Sequence, residues 1–150
     1  MNIYLGNKMS GVPYFNAPWF DRIAAELLEM PRVTHVFNPA QHDRDQGFDP
    51  MSCPSGSLNE ARAAGFNPRA ALGADWAWIA EHSNGMVVGP DWRDSPGTLS
   101  EIACHQALRL PVWQWQHFSD SRLGDAMIGG QNAWTIPSLL DRFRPSTLVT

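Results

Sequence analysis

Residues 85–101 read GMVVGPDWRDSPGTLSE, and this stretch decides the fold. Gly85 to Val88 is a short apolar run stopped by Gly89-Pro90, the signature of a buried strand ending in a turn. After Ser95-Pro96 a helical spacing begins: Leu99, Ile102, Ala103, Ala107 and Leu110 mark one face, which predicts a helix from about Gly97 to Arg109. The same alternation extends in both directions. Asn2 to Leu5 is a β-type run ending in the turn Gly6-Asn7-Lys8. Asn16 to Met30 carries Trp19, Phe20, Ile23, Ala24, Leu27 and Leu28 at helical spacing, with Asn16 as cap, Pro18 in the first turn and Pro31 as stop. Val33 to Phe37 reads as a second strand closed by Asn38-Pro39, and Pro68 to His82 as a second helix. Pro111 to Trp115 supplies a fourth strand and Ile136 to Phe143 a closing helix. Residues 41–67, rich in Asp, Gly, Pro and Ser, predict a long irregular loop with a short helix near Leu58 to Ala64. No internal repeat is visible. Strand and helix in alternation predict an α/β domain, a parallel sheet covered on both faces, with its ligand at the carboxyl ends of the strands.

Composition bounds the function. The 150 residues fit one domain, 1–150, and a hydrophobic share of 43% with seven Trp supplies a core. Eleven Lys+Arg against fifteen Asp+Glu, the basic residues scattered singly, exclude a long nucleic acid as partner; a single nucleotide with one phosphate remains. Cys53 and Cys104 lie far apart, outside any CxxC pair, so a reducing compartment is expected and no metal site. Without an apolar run long enough to span a membrane or a signal-type start, the expectation is a cytoplasmic protein with no membrane partner. Neither GxGxxG nor GxxxxGK[ST] occurs, so no dinucleotide cofactor and no P-loop is predicted.

Three strand ends carry the polar candidates: Gly6 to Gly11, Asn38 to Asp43, and Gly89 to Glu101. Free N–H groups at a helix start attract anions, so Ser95, Gly97 and Thr98 are candidates to hold a phosphate. The same helix dipole favours an ionised Glu101, which suits a nucleophile. The competing reading is that Ser95 or Thr98 only caps the helix and Glu101 is a solvated carboxylate. On a helix from Pro68 to His82, Asp75 has Ala71, Leu72, Trp78 and Ile79 as neighbours, an apolar setting that raises a carboxyl pKa and suits a general acid. Alternatively Gly73-Ala74 breaks that helix and Asp75 caps a shorter one. Together Asp75 and Glu101 make the two-carboxylate division of labour that cleaves glycosidic bonds. Tyr4 reads as a core aromatic, Trp92 as a core residue or a flank for a base, and His82 and His105 as helix-surface residues.

Ile3-Tyr4-Leu5, Met9-Ser10-Gly11, Asn38-Pro39-Ala40, Leu72 with Asp75, Trp92, Ser95, Gly97 and Glu101, and Ala107 with Leu110-Pro111-Val112 occur in this order. The pattern resembles the nucleoside 2-deoxyribosyltransferase-like superfamily over about three quarters of the chain, most closely a small branch frequent in phage genomes and similar to deoxynucleoside 5′-monophosphate N-glycosidases. The resemblance implies a flavodoxin/Rossmann-like three-layer sandwich with a mainly parallel sheet of four to five strands. It implies cleavage of the N-glycosidic bond of a (deoxy)nucleoside 5′-monophosphate, without a cofactor, through a covalent glycosyl intermediate on Glu101. Asp75 would handle the proton at the base, Ser95 would belong to the phosphate loop, and Tyr4 would lie near the sugar. Asn7, Met9, Gly11, Trp92, Gly97 and Thr98 complete the expected substrate-binding set. Base exchange between free nucleosides and plain nucleotide sequestration without turnover are the alternatives. The resemblance also implies a homodimer or higher homo-oligomer. Two departures from the pattern stand out: Gly6-Asn7 where relatives carry Ala-Gly, and Asn84 where an Asp commonly precedes the third strand.

Overall fold

The computed structural model describes residues 1–115. Four strands, β1 (Asn2–Gly6), β2 (His35–Phe37), β3 (Gly85–Val88) and β4 (Val112–Gln114), pair in parallel in the order β2-β1-β3-β4. Five α-helices surround them among the described residues: α1 (Ala17–Leu28), α2 (Pro39–Asp45), α3 (Leu58–Ala63), α4 (Pro68–His82) and α5 (Pro96–Ala107). The fold is therefore the expected α/β sandwich, with a flavodoxin/Rossmann-like strand order. The order reverses between β1 and β3, and the crevice at the carboxyl ends of those strands is where such sheets bind ligands. Among the described residues no helix is long and apolar enough to cross a membrane.

The period-two alternation of the strands divides the core into two layers. Ile3, Leu5, Val87 and Trp113 pack with Phe20, Ile23 and Leu27 of α1. Tyr4, Met86, Val88 and Val112 turn to the opposite face, against Ile79 of α4 and Ile102 of α5. Burying each large side chain contributes roughly 1.5–3 kcal/mol, so both layers are needed to offset the chain entropy. Truncating Phe20 or Ile102, each at 0% exposure, would open a cavity directly on the sheet.

Three local departures from the sequence expectation have physical causes. Asn16 holds the expected N-cap position of α1 but its side chain makes no cap hydrogen bond: it stands in the left-handed region at φ 60, after Tyr14 at φ 55 and Phe15 at φ 50, and its Nδ2 donates to the Lys8 carbonyl at 2.9 Å. Consecutive left-handed L-residues are strained by roughly 1–2 kcal/mol each, and here they turn the Phe15 ring inward. The second strand is shorter than expected because the Thr34 N–H already closes on the Met1 carbonyl, at 2.8 Å, and Val33 is buried in the α1 layer. Of the expected irregular stretch over 41–67, the short helix near Leu58 to Ala64 is found as α3, whereas the rest is more ordered than expected, with α2 and a 3₁₀ turn at Pro50–Ser52. The Asn38 side chain caps α2 by accepting from the N–H groups of Ala40 and Gln41, with Pro39 at the first helical position. The helix expected at Ile136 to Phe143 lies outside the described residues.

Two short sequences in that region are near copies: Gly47-Phe48-Asp49-Pro50 and Gly65-Phe66-Asn67-Pro68. Each glycine follows a helix cap and has a positive φ, +97 and +98, which an L side chain would strain. Each phenylalanine N–H then closes back into the helix, Phe48 on the Asp43 carbonyl and Phe66 on the Ala61 carbonyl, both at 2.9 Å. Asp49 and Asn67 cap the following turn or helix through their side chains. The same device thus ends two helices and sets the two phenyl rings against one another, centroids 4.8 Å apart.

Candidate active site

A cavity of about 410 Å³ opens at the carboxyl ends of β1 and β3. Its lining brings together Asn7, Met9, Asp75, Ser95, Gly97, Thr98 and Glu101 of the residues expected from the sequence. Gly11 and Trp92 lie outside the lining. Gly11 is an exposed turn residue at φ 78 whose N–H meets the Gly56 carbonyl. Trp92 is 4% exposed and belongs to the core, the first of its two expected readings, its indole N–H reaching Gln114 and the Arg93 guanidinium stacked on its ring. Phe15, Phe48 and Phe66 also line the cavity and were not expected there.

Asp75 sits in the unbroken interior of α4, so the helix-break alternative fails, and it is nearly as buried as the core at 9% exposure. Burial pushes its carboxyl up to about 7; the charge of Asp43 adds to this and the Tyr4 hydroxyl opposes it. Glu101 departs from expectation. The residue is 7% exposed, and burial, then the charge of Asp75, raise its carboxyl to about 8. Burial thus favours the protonated form of Glu101 as well as of Asp75, against the expectation of an ionised Glu101. The reason is position: Ser95 is the N-cap, so Glu101 lies past the first turn where the helix dipole is effective, and it is pressed against the end of β1. Gly6 permits that approach, because a Cβ there would stand 3.3 Å from Glu101 Oε2 and 2.3 Å from Met86 Cε.

Tyr4 lies beneath both carboxyls at 0% exposure. Its hydroxyl interacts with Asp75 and Glu101, yet no hydrogen bond of good geometry satisfies it. Burial first, and then the two acidic neighbours, hold the phenol well above its ordinary pKa. The hydroxyl therefore stays a donor, available to whichever carboxyl is ionised. His105, expected on the helix surface, is fully buried behind this group. Its Nδ1–H donates to the Glu101 backbone carbonyl at 2.8 Å, which leaves Nε2 to accept from the Ser83 hydroxyl at 2.8 Å. Burial lowers its pKa to about 4, so the ring is neutral and serves as a strut for Glu101 and, 5.7 Å away, for the Tyr4 ring.

The helix start of α5 is largely occupied by its own cap. Pro96 has no N–H, and the Thr98 N–H is taken by Ser95 Oγ at 3.2 Å. Gly97 is the position of that first turn whose N–H is neither missing nor taken by the cap. Thr98 Oγ1 lies within reach of both the Asn7 carbonyl and Ser95 Oγ, and Asn7 Oδ1 accepts from the Asp91 N–H at 3.1 Å. Asn7 thus ties the end of β1 to the segment after β3. Four acidic side chains line the cavity, Asp43, Asp75, Asp94 and Glu101, against one basic side chain, Lys8. Among the described residues no group of three or more His, Cys, Asp or Glu side chains is placed to hold a metal ion.

Asp43 ends a stretch that the sequence singled out, Asn38 to Asp43, but its role as a buried carboxyl of the site was not read from the polar run Gln41-His42-Asp43-Arg44-Asp45. The placement of Asn38-Pro39 as a helix start was the available signal, since it turns one face of the next two turns toward the sheet. Comparison of the chain with family models, curated proteins and solved structures finds no match in any of the three.

Proposed function

We propose that this protein cleaves the N-glycosidic bond of a (deoxy)nucleoside 5′-monophosphate through a glycosyl ester on Glu101. One observation carries the reading: two buried carboxyls and a buried, unsatisfied phenol interact with one another at a cavity whose lining also holds three phenyl rings. Phenyl rings suit a planar base, and the cavity volume lies in the range of small-molecule sites. As the C1′–N bond breaks, its electron pair leaves with the base and Asp75 supplies the proton to the base nitrogen. Glu101 forms the ester bond to C1′. Water then adds at C1′, the ester bond returns its electrons to the Glu101 carboxylate, and the water's proton restores Asp75.

This cycle requires one proton on the pair, located on Asp75. Burial favours that total near neutrality, with the two carboxyls at about 7 and about 8. The positive charge that develops on the sugar draws the ionised state to Glu101, and the Tyr4 hydroxyl can donate to it there. Ser95 Oγ–H, the Gly97 N–H and Lys8 are the groups available to a 5′-phosphate. The four-to-one excess of acidic side chains in the lining favours a second reading, in which the substrate is an uncharged nucleoside and a second base, in place of water, resolves the ester. Incubation with nucleotides and nucleosides, with and without an acceptor base, followed by chromatography of the released or exchanged base, separates the two. Activity that is unchanged in Glu101→Ala and Asp75→Asn contradicts both.

A further inference from the structure

Asp43 is a third buried carboxyl at the same cavity, at 8% exposure, carried by α2. It also lines an adjoining cavity of about 270 Å³, which shares Asp43, Phe48, Phe66 and Ala71 with the first. The charge of the neighbouring cation, Arg44, opposes burial in setting its pKa, but Arg44 forms no ion pair with it. Arg44 turns away to Asp21, 2.7 Å from Nη2, and to Asp49, 3.6 Å from Nε. Among the described residues no hydrogen bond or ion pair engages the Asp43 carboxyl, and α2 is held in place by its Asn38 cap and the Arg44 contacts.

We propose that Asp43 is a positioning residue that keeps the proton on Asp75, so that the general acid remains protonated at neutral pH. The proposal rests on the N-glycosidase reading only for its effect on rate. Two like charges in a poorly solvated space cannot both ionise cheaply, so a negative Asp43 makes Asp75 hold its proton more tightly. The ionisable groups around the pair come from every neighbouring element: Tyr4 of β1, Lys8 after β1, His42 and Arg44 of α2 itself, Asp94 before α5, and Glu101 of α5. Of these only Lys8 is a cation lining the main cavity. The directions agree with the geometry: burial raises Asp43 to about 7, and the charge of Asp43 is the cause that follows burial in raising Asp75.

The test is a carbon-detected NMR titration of the side-chain carboxyls in the wild type, Asp43→Asn, Asp43→Ser as a second neutral variant, and Asp43→Glu. The expected result is that the Asp75 midpoint falls by roughly half a pH unit or more in both neutral variants and returns in Asp43→Glu. The alkaline limb of the rate profile moves to lower pH by the same amount. An Asp75 midpoint that does not move overturns the proposal, whatever the activity. A midpoint that moves in a protein that turns over no nucleotide or nucleoside upholds the Asp43 proposal and overturns the N-glycosidase reading instead.

Discussion

Replacing Glu101 by Gln is expected to stabilise this protein, and increasingly so as pH rises. Glu101 is 7% exposed, and burial followed by the charge of Asp75 moves its carboxyl from 4.5 to about 8. A carboxyl raised in the folded state contributes fully below its unfolded value, and that contribution is lost as pH rises through the folded value. The unfolded chain ionises Glu101 above about pH 4.5, whereas the folded chain resists until about pH 8. At ~1.4 kcal/mol per pH unit, the resulting loss between about pH 5 and about pH 7.5 comes to roughly 3 kcal/mol. Gln at this position does not titrate, so Glu101→Gln escapes that loss. Its amide needs partners much as a protonated carboxyl does, and that cost is the same at every pH. Urea unfolding followed by the fluorescence of the seven Trp, at several pH values, reads the difference directly. The stability gap between variant and wild type is expected to widen by roughly 3 kcal/mol over this range. Parallel stability curves, with the gap widening by less than ~1 kcal/mol, would refute the claim that Glu101 is buried without a compensating cation.

Three further outcomes are expected. Asp75→Asn should lower turnover by roughly 100-fold or more while the KM for a nucleotide changes little, because the amide keeps the shape but cannot supply the proton; steady-state kinetics measure this. The rate should follow a bell in pH, falling on the acid side near about 7 and on the alkaline side near about 8 as the pair gains its second proton or loses its last; a pH-independent rate across this range contradicts the shared-proton mechanism. Gly65→Ala should cost roughly 1 kcal/mol or more, because the cap requires φ +98, and should weaken ligand binding along with stability by displacing Phe66; thermal melts and ligand titration together check it.

The sequence made the sheet and the flanking helices legible because their signals are strong and agree with one another. The third strand and α4 have the bounds that their turn residues and caps indicate, Gly85–Val88 and Pro68–His82. Asp75 was legible for the same reason: an acid among apolar helix neighbours is conspicuous. Between β2 and α4 the short helix α3 was legible, at Leu58–Ala63, and the rest was not. The helix α2 spans seven residues, too few for an apolar period to emerge, and its content of Gln, His, Asp and Arg resembles a loop. The two Gly-Phe-Asx-Pro copies carried the information, as helix stops followed by helix caps, but only packing shows that their phenyl rings share one wall. The burial of Glu101 was not legible because its position on the helix says nothing of the end of β1, where Gly6 lacks a Cβ and lets the carboxyl approach. His105 was misplaced on the surface for a related reason: its burial depends on Tyr4 and Ser83, distant in sequence.

If Asp75 and Glu101 act together on one glycosidic bond, the glycosyl ester on Glu101 can be trapped. Intact-protein mass spectrometry after rapid acid quench with a panel of deoxynucleoside 5′-monophosphates and deoxynucleosides is expected to show an added glycosyl mass, mapped by peptide analysis to Glu101, with stoichiometric release of free base. The adduct should be absent in Glu101→Gln and should form far more slowly in Asp75→Asn. Release of base by the wild type with no adduct at Glu101, or equal release by Glu101→Gln, would contradict the account.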